Sequence, residues 1–441
     1  MSESARSPAS ARRAGPVEGR ERFVSLDLLR GVAILGILVM NIYAFAMPFV
    51  AYMNPLRMGG TEPWNIGTWI FTHVLFDQKF ISIFAMMFGA GIVLMSGRAE
   101  SGGNKPAGFY YRRQLWLVVI GAIHAYLIWV GDVLFMYALI GMLAYLFRKR
   151  TPRTLIIVAC CLLPFTVLFN YGNVYQTAKM MGMAAEVETL VEQGEELDDE
   201  QRQLLDDWAD MRAFMMPTDE DIALEVEVYR GDYAGIVQYR APIVVMMHLF
   251  FVFGYGLFRV GGLMLLGMAM MKLGVFTAQR SVGFYKRLML GGYLLGLPLT
   301  VFSAIDLHAR DFEPLYAMST GSLANYFGSI LVALGHIGLV MLVAKSGVLA
   351  GLMSRFAAVG RMALTNYLMH SVVLTTVFYG YGLGLFGSVP RLWQMAFVAV
   401  VIGFQLWFST WWLERYRFGP VEWLWRTVTY WRSQPMRQPA R

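Results

Sequence analysis

Phe23-Val-Ser-Leu-Asp27-Leu-Leu-Arg30-Gly31-Val-Ala-Ile-Leu-Gly36-Ile-Leu-Val-Met-Asn41-Ile, residues 23–42, decides the fold class. After its first turn it stays apolar long enough to cross a hydrocarbon core of about 30 Å as a helix. It is too long for a signal-peptide core and carries no small-residue cleavage site, so it reads as a membrane span. Comparable runs recur, and the expected spans are 26–47, 69–96, 113–130, 132–147, 154–172, 241–271, 285–305, 323–344, 362–380 and 393–413. Barrel strands would alternate apolar and polar residues, and these runs do not. The expected fold is therefore all-α, a polytopic transmembrane bundle of about ten helices. Composition agrees: 57 % of the 441 residues are hydrophobic and 15 % charged, with a mean hydropathy of +0.50, outside the soluble range.

The net charge of +7 reads as topology and implies no nucleic acid. Basic residues fall in alternate short loops: Arg98, Lys105, Arg112 and Arg113; Arg148, Lys149, Arg150 and Arg153; Lys272, Arg280, Lys286 and Arg287; Lys345 and Arg355. The positive-inside rule places those loops and both termini in the cytoplasm. The expected organisation is a disordered tail at 1–22, membrane helices at 23–175, an acidic extracytoplasmic helical insert at 176–238, membrane helices at 239–415 and a basic cytoplasmic tail at 416–441. Cys160 and Cys161 are adjacent in an apolar run, unsuited to an ordinary disulfide or a metal site, and read as packing residues. Gly382-Leu-Gly384-Leu-Phe-Gly387 fits a dinucleotide-loop pattern but follows no strand. Gly292-Tyr-Leu-Leu-Gly296 reads as a close helix contact.

A charged side chain at mid-bilayer costs about 2.5–3.5 kcal/mol on insertion scales, so function is sought where such residues occur. Asp27 and Arg30 lie three apart at the start of span one. They suit either a structural ion pair or the mouth of a site for a phosphorylated ligand. Asn41 lies on their side of the helix near its other end. His73 and Asp77 are four apart, followed by Lys79, which either snorkels or needs an anionic partner. Gly121-Ala-Ile-His124-Ala-Tyr126-Leu-Ile-Trp129-Val-Gly131-Asp132 carries a histidine with a carboxylate across a tight turn. That pairing suits proton transfer, packing being the alternative. Gly360-Arg361-Met-Ala-Leu-Thr365-Asn366-Tyr367 gives span nine a polar start, through which Arg361 and Asn366 either line a cavity or cap the helix.

These motifs, with Lys79-Phe80, Phe88-Gly89-Ala-Gly91 and Gly419-Pro420-Val-Glu422-Trp423-Leu-Trp425-Arg426, resemble the YeiB-like family of bacterial inner-membrane proteins, described mainly as of unknown function. The resemblance spans nearly the whole chain and implies a multi-pass protein of the inner membrane. More distantly, Asp27-Leu-Leu-Arg30-Gly31 followed by Asn41 is similar to heparan-alpha-glucosaminide N-acetyltransferase and to bacterial acyltransferases that modify sugars. That resemblance implies transfer of an acyl group from cytosolic acyl-CoA to an acceptor across the membrane, with Asn41 at the catalytic site. The acetyltransferase has its catalytic histidine shortly after that asparagine. Residues 43–69 here hold none, so His73 or His124 supplies the base.

The leading expectation is acyl transfer. The phosphates of acyl-CoA bind near Arg30, and His124, oriented by Asp132, deprotonates the hydroxyl of a small-molecule, lipid or glycan acceptor. Asn41 and Lys79 stabilise the oxyanion, and Asp27, Arg361 and Asn366 complete the ligand site. The same polar residues also suit a transporter or lipid-handling protein, or a scaffold in which they only join helices. The lipid bilayer is the expected partner, with a homodimer compatible and no metal implied.

Overall fold

In the computed structural model, residues 24–101 and 106–438 are described; the expected disordered tail at 1–22 lies outside them. The described chain is helical, its strand-like pairing limited to one isolated bridge between Tyr416 and Arg437. The helices are α1 (Val24–Ala46), α2 (Phe49–Met53), α3 (Pro63–Leu75), α4 (Lys79–Ser101), α5 (Pro106–Ile123), α6 (Leu134–Ala144), α7 (Pro152–Glu192), α8 (Asp199–Met215) and α9 (Asp219–Arg230). They continue as α10 (Tyr233–Phe251), α11 (Gly261–Lys272), α12 (Val282–Ala309), α13 (Pro314–Met318), α14 (Thr320–Ser346), α15 (Ala350–Arg361), α16 (Ala363–Phe378), α17 (Arg391–Arg415) and α18 (Pro420–Tyr430).

Among the described residues, seven helical stretches are long and apolar enough to cross a membrane, and 134–147 and 363–378 form shorter apolar helices. The remaining expected span, 113–130, falls on α5 and the turn after it, where Arg112, Arg113 and Gln114 lower the apolar content. Polarity is inverted relative to a soluble protein. Leu294, Val400 and Phe253 point outward at 72 %, 71 % and 66 % exposure, whereas Lys79, Arg259 and Arg391 are wholly enclosed. This is the arrangement a hydrocarbon solvent favours, and the chain is a multi-pass membrane protein.

Helix α1 is the hub, with 78 % of its apolar stretch buried, against 17 % for α7 on the periphery. Cys160 and Cys161 therefore do not pack as expected; they lie free on the exposed face of α7. At 1.5 Å per residue the 41 residues of α7 span roughly 60 Å, twice a hydrocarbon core, so its far half carries the chain into the acidic insert. There α8 and α9 each start with a reciprocal capping box, Asp198 with Gln201 and Thr218 with Asp221, satisfying backbone donors that an exposed helix start leaves open.

Small residues set the crossing of α12 and α14. A Cβ on Gly292 of α12 would lie 2.5 Å from the backbone nitrogen of Gly335 on α14, and one on Gly296 2.8 Å from that of Val332, so both positions require glycine for close helix approach. The basic loops gather at one end of the bundle. Lys272 Nζ donates to the carbonyls of Arg148 (2.7 Å) and Arg150 (2.5 Å), Ser25 to Phe276, and Lys345 to Ala278. The insert closes the other end: Arg57 pairs with Asp219 (2.8 Å), and Arg230 donates to the carbonyl of Phe386. The glycine-rich loop at 380–387 tethers that insert, its Gly380 N–H donating to Tyr229 and its Gly387 N–H to Ala46.

Candidate functional site

Helix α5 ends in a widened π-helical turn, His124–Ile128, where the Trp129 N–H donates to the His124 carbonyl at 2.8 Å. Such turns release carbonyls from the regular ladder and recur at functional sites. The carbonyls of Tyr126 and Ile128 are taken up by the buried Arg240 guanidinium of α10 at 2.9 and 2.8 Å. The turn presents His124 with both nitrogens engaged: Nδ1 lies 2.7 Å from Asp132 Oδ2 and Nε2 lies 2.8 Å from Ser371 Oγ on α16. The other carboxylate oxygen, Asp132 Oδ1, accepts the Phe135 N–H at 2.8 Å and caps the start of α6. A side chain at Gly121 would collide with that Phe135 nitrogen and come within 3.0 Å of Asp132 Oδ1, so this glycine admits the carboxylate. One turn before Ser371, the Tyr367 hydroxyl donates to the Gly131 carbonyl (3.2 Å) and accepts the Val133 N–H (3.3 Å). The His124 and Asp132 side chains are fully enclosed, as is Ser371.

The carboxylate fixes the imidazole tautomer. Asp132 accepts, so Nδ1 carries the proton; Nε2 then accepts the hydroxyl proton of Ser371. The arrangement is a hydroxyl, a base and an orienting carboxylate in line. Helix α1 reaches this group through Phe45. Trp129 stacks on Phe45 (ring centroids 3.9 Å apart) and stands edge-on to His124 at 6.3 Å. Asn41 and Phe45 are four apart on one face of α1. Asn41 keeps partial exposure although Met40 and Ile42 beside it are buried.

A second buried group forms where the expected span 69–96 breaks. Helix α3 stops at Leu75 and α4 restarts at Lys79, with Gln78 in the left-handed region at φ 61°. A non-glycine residue holds that conformation only where its surroundings enforce it. Lys79 Nζ donates to the His73 carbonyl freed by the break (2.6 Å) and to Asn325 Oδ1 on α14 (2.7 Å). The ammonium thus meets the negative end of the α3 dipole. Asp77 Oδ2 accepts from Asn325 Nδ2 at 2.7 Å and lies 3.3 Å from His73 Nδ1. Arg259 comes from another π-helical stretch, Val252–Val260, and donates to the Ser329 (2.8 Å) and Ser82 (3.3 Å) hydroxyls and the Tyr326 carbonyl. The sequence-predicted residues His73 and Lys79 therefore meet each other, while His124 and Asp132 bond in the first group.

The remaining candidates lie toward the basic end. Asp27 and Arg30 pair at 3.1 Å. Arg30, Arg113 and Arg426 share one electrostatic neighbourhood, with Arg113 stacked 3.7 Å over Trp425. Arg361 closes α15, which packs on α1 through backbone contact at Gly31 and Gly360. Asn366 is a buried clamp, its Nδ2 donating to Val359 O (3.2 Å) and Ser409 Oγ (3.0 Å) while its carbonyl accepts from Gln405. Glu422 accepts the N–H groups of Leu364 and Thr365 and the Thr365 hydroxyl, and burial pushes its carboxyl upward. Among the described residues no three His, Cys, Asp or Glu side chains gather to hold a metal ion.

Sequence reasoning left out Ser371, Arg240, Asn325 and Arg259. Arg259 carried a readable signal, a charge inside an apolar run; Ser371 carried only its position one turn after Tyr367.

Residues 270–432 match the family described as "Protein of unknown function (DUF418)". Over 413 residues the chain is 33 % identical to "Uncharacterized protein YeiB" of Escherichia coli (strain K12), covering 93 % of this chain and 96 % of that relative. The chain belongs to the YeiB-like, DUF418 family. "Uncharacterized protein YxaH" of Bacillus subtilis (strain 168) is 32 % identical over 433 residues, 96 % of this chain and 97 % of the relative. An "Uncharacterized 39.9 kDa protein in amylase 3'region" of Bacillus acidopullulyticus is 25 % identical over 426 residues, 96 % of this chain and 97 % of the relative. No solved structure matches. The DUF418 segment divides the first group: Ser371 and Tyr367 fall within it, His124 and Asp132 before it.

Proposed function

We propose that this protein is an acyltransferase of the bacterial inner membrane, moving an acyl group from cytosolic acyl-CoA to a hydroxyl acceptor on the opposite side. The observation that carries the reading is His124 held by Asp132 at 2.7 Å and presenting Nε2 to a hydroxyl at 2.8 Å. An oriented imidazole whose unprotonated nitrogen faces an O–H is what deprotonating a hydroxyl requires. In this reading the basic end faces the cytoplasm and the acidic insert lies outside. Arg30, with Arg113 and Arg426 in the same neighbourhood, attracts the phosphates of CoA; Asp27 positions Arg30, and Arg361 lines the same mouth. Asn41 donates to the thioester oxygen as it becomes an oxyanion. The acceptor is a small molecule, lipid or glycan.

A second reading has its own observation. The helix break at 76–78 with Lys79, Asp77 and Arg259 buried beside it resembles the discontinuous helices around which transporters build ion sites. Thioester cleavage by the purified protein in liposomes, with pooled envelope glycans as acceptors, separates the two. Acyl transfer requires cleavage in the wild type and its loss in His124→Ala at unchanged folding; flux of an anion or proton without cleavage favours transport.

A further inference from the structure

Ser371 stands where an acceptor hydroxyl would have to stand. Serines and threonines buried in helices usually turn their hydroxyls back to a carbonyl three or four residues earlier, as Thr72, Thr300 and Thr375 do here. Ser371 instead donates across 247 positions of sequence to His124 Nε2. The other bonded histidines differ. His370 meets the Gln405 amide oxygen through Nε2, and His336 lies between a tyrosine hydroxyl and a backbone carbonyl. His73 has Asp77 on Nδ1 and no partner on Nε2. Among the described histidines, His124 alone joins a carboxylate on one nitrogen to an aliphatic hydroxyl on the other. The wall also fits, since Asp132 has its second oxygen tied to Phe135 and the turn bearing His124 is pinned by Arg240. A base must hold its geometry through repeated proton transfers, and this one is braced on both sides.

We propose that Ser371 is the nucleophile that carries the acyl group, so that transfer runs through an acyl-serine. The inference rests on the acyl-transfer reading above. His124 Nε2 takes the hydroxyl proton as Ser371 Oγ attacks the thioester carbonyl. The C–S bond breaks, His124 gives that proton to the departing sulfur, and CoA leaves as the free thiol with a serine ester behind it. The acceptor hydroxyl then attacks that ester, His124 takes its proton, the bond to Ser371 breaks, and the proton returns to Ser371 Oγ. No oxidant or metal is needed, and the protein is regenerated. Because the three side chains are sealed in this conformation, the thioester reaches Ser371 only after neighbouring side chains move aside.

The test is peptide mass mapping of the full-length protein in liposomes, acid-quenched after brief incubation with acetyl-CoA and no acceptor, alongside labelling by a fluorophosphonate probe. The expected result is an acetyl group on the peptide holding Ser371. It should be absent in Ser371→Ala, slowed about a thousand-fold or more in His124→Ala, and converted in Ser371→Cys to a thioester that neutral hydroxylamine cleaves. The cysteine variant keeps the shape of the site and so guards against misfolding of the alanine one. Acetyl-CoA turnover in Ser371→Ala within twofold of wild type, with no serine adduct, overturns the nucleophile and leaves acyl transfer standing. His124-dependent fluorophosphonate labelling of Ser371 without acetyl-CoA cleavage keeps the nucleophile and overturns the CoA reading. Neither labelling nor cleavage overturns both.

Discussion

Two buried polar groups pack against α1, and both grow from a helix that departs from regular geometry. The first uses the π-helical turn at His124–Ile128; the second uses the break at 76–78 and the π-helical stretch Val252–Val260. Their charge balance differs. In the first, hydrogen bonds converge on one imidazole, and the carboxylate that orients it also caps a helix. In the second, Lys79 and Arg259 outnumber the one carboxylate, Asp77, and bond to carbonyls, hydroxyls and the Asn325 amide, which also holds Asp77. The first is arranged so that a proton can move; the second is arranged so that charges in a low-dielectric interior stay put. Substitutions in the first should therefore damage chemistry more than stability, and those in the second the reverse.

The largest expected effect tests the first half of that contrast. Asp132→Asn keeps the shape but turns the imidazole to the wrong tautomer, and turnover should fall about ten-thousand-fold, as in other hydroxyl–imidazole–carboxylate sites. Its thermal midpoint should move little. A variant that unfolds while its residual folded fraction keeps full activity would erase the distinction. Next in size, Asp77→Ala leaves Lys79 without its neighbouring carboxylate and should cost about 3–5 kcal/mol of stability, read by thermal or denaturant unfolding in detergent. Lys79→Met combined with Asp77→Leu should recover much of that loss, because a paired replacement strands no charge. A double variant as unstable as the single one would show that the group does more than hold helices.

Gly121→Ala should fall between the two groups in character. Its methyl pushes on Phe135 and Asp132, so an overpacking cost of about 1–3 kcal/mol should accompany a roughly hundred-fold loss of turnover. The last effect lies outside both groups, at Glu225 of α9, which accepts the Phe49 N–H. Burial pushes its carboxyl up to about 7. The folded state thus holds a proton that the unfolded chain releases near pH 4.5, so the site costs stability as pH rises from about 4.5 to 7, and the cost is complete above that. Glu225→Gln should match wild type near pH 4.5 and exceed its thermal midpoint at pH 8. Equal midpoints at both values would mean that the carboxyl is solvated.

Much of the fold was legible because the bilayer allows few solutions. Apolar runs of spanning length gave the helices, and the basic loops that the sequence assigns to one side do gather at one end. The departures were not legible. Nothing in Phe76-Asp77-Gln78 announces a break, since Gln78 takes a left-handed conformation for which its residue type has no preference. The π-helical turns are also silent, and α7 runs on through Glu192 because its amphipathic second half continues the first without a stop signal. At the site, His124 and Asp132 were readable as a pair because only a tight turn separates them. Ser371 was not, since its partner lies 247 positions away and a serine in an apolar helix has many ordinary explanations. Arg259 obeys the rule that singles out Lys79, but its partners come from other helices, so the sequence offered a charge without a neighbour.

The most direct test encloses acyl-CoA inside vesicles that carry the protein in one orientation and supplies a hydroxyl acceptor only outside. Appearance of acylated acceptor outside, matched by CoA thiol inside, abolished by His124→Ala and Asp132→Asn but retained by the folded fraction of Lys79→Met, is the expected result. Acylated acceptor forming at the same rate in His124→Ala, or none forming with folded wild type, would contradict the assignment of His124 as the base and with it the account of the first group.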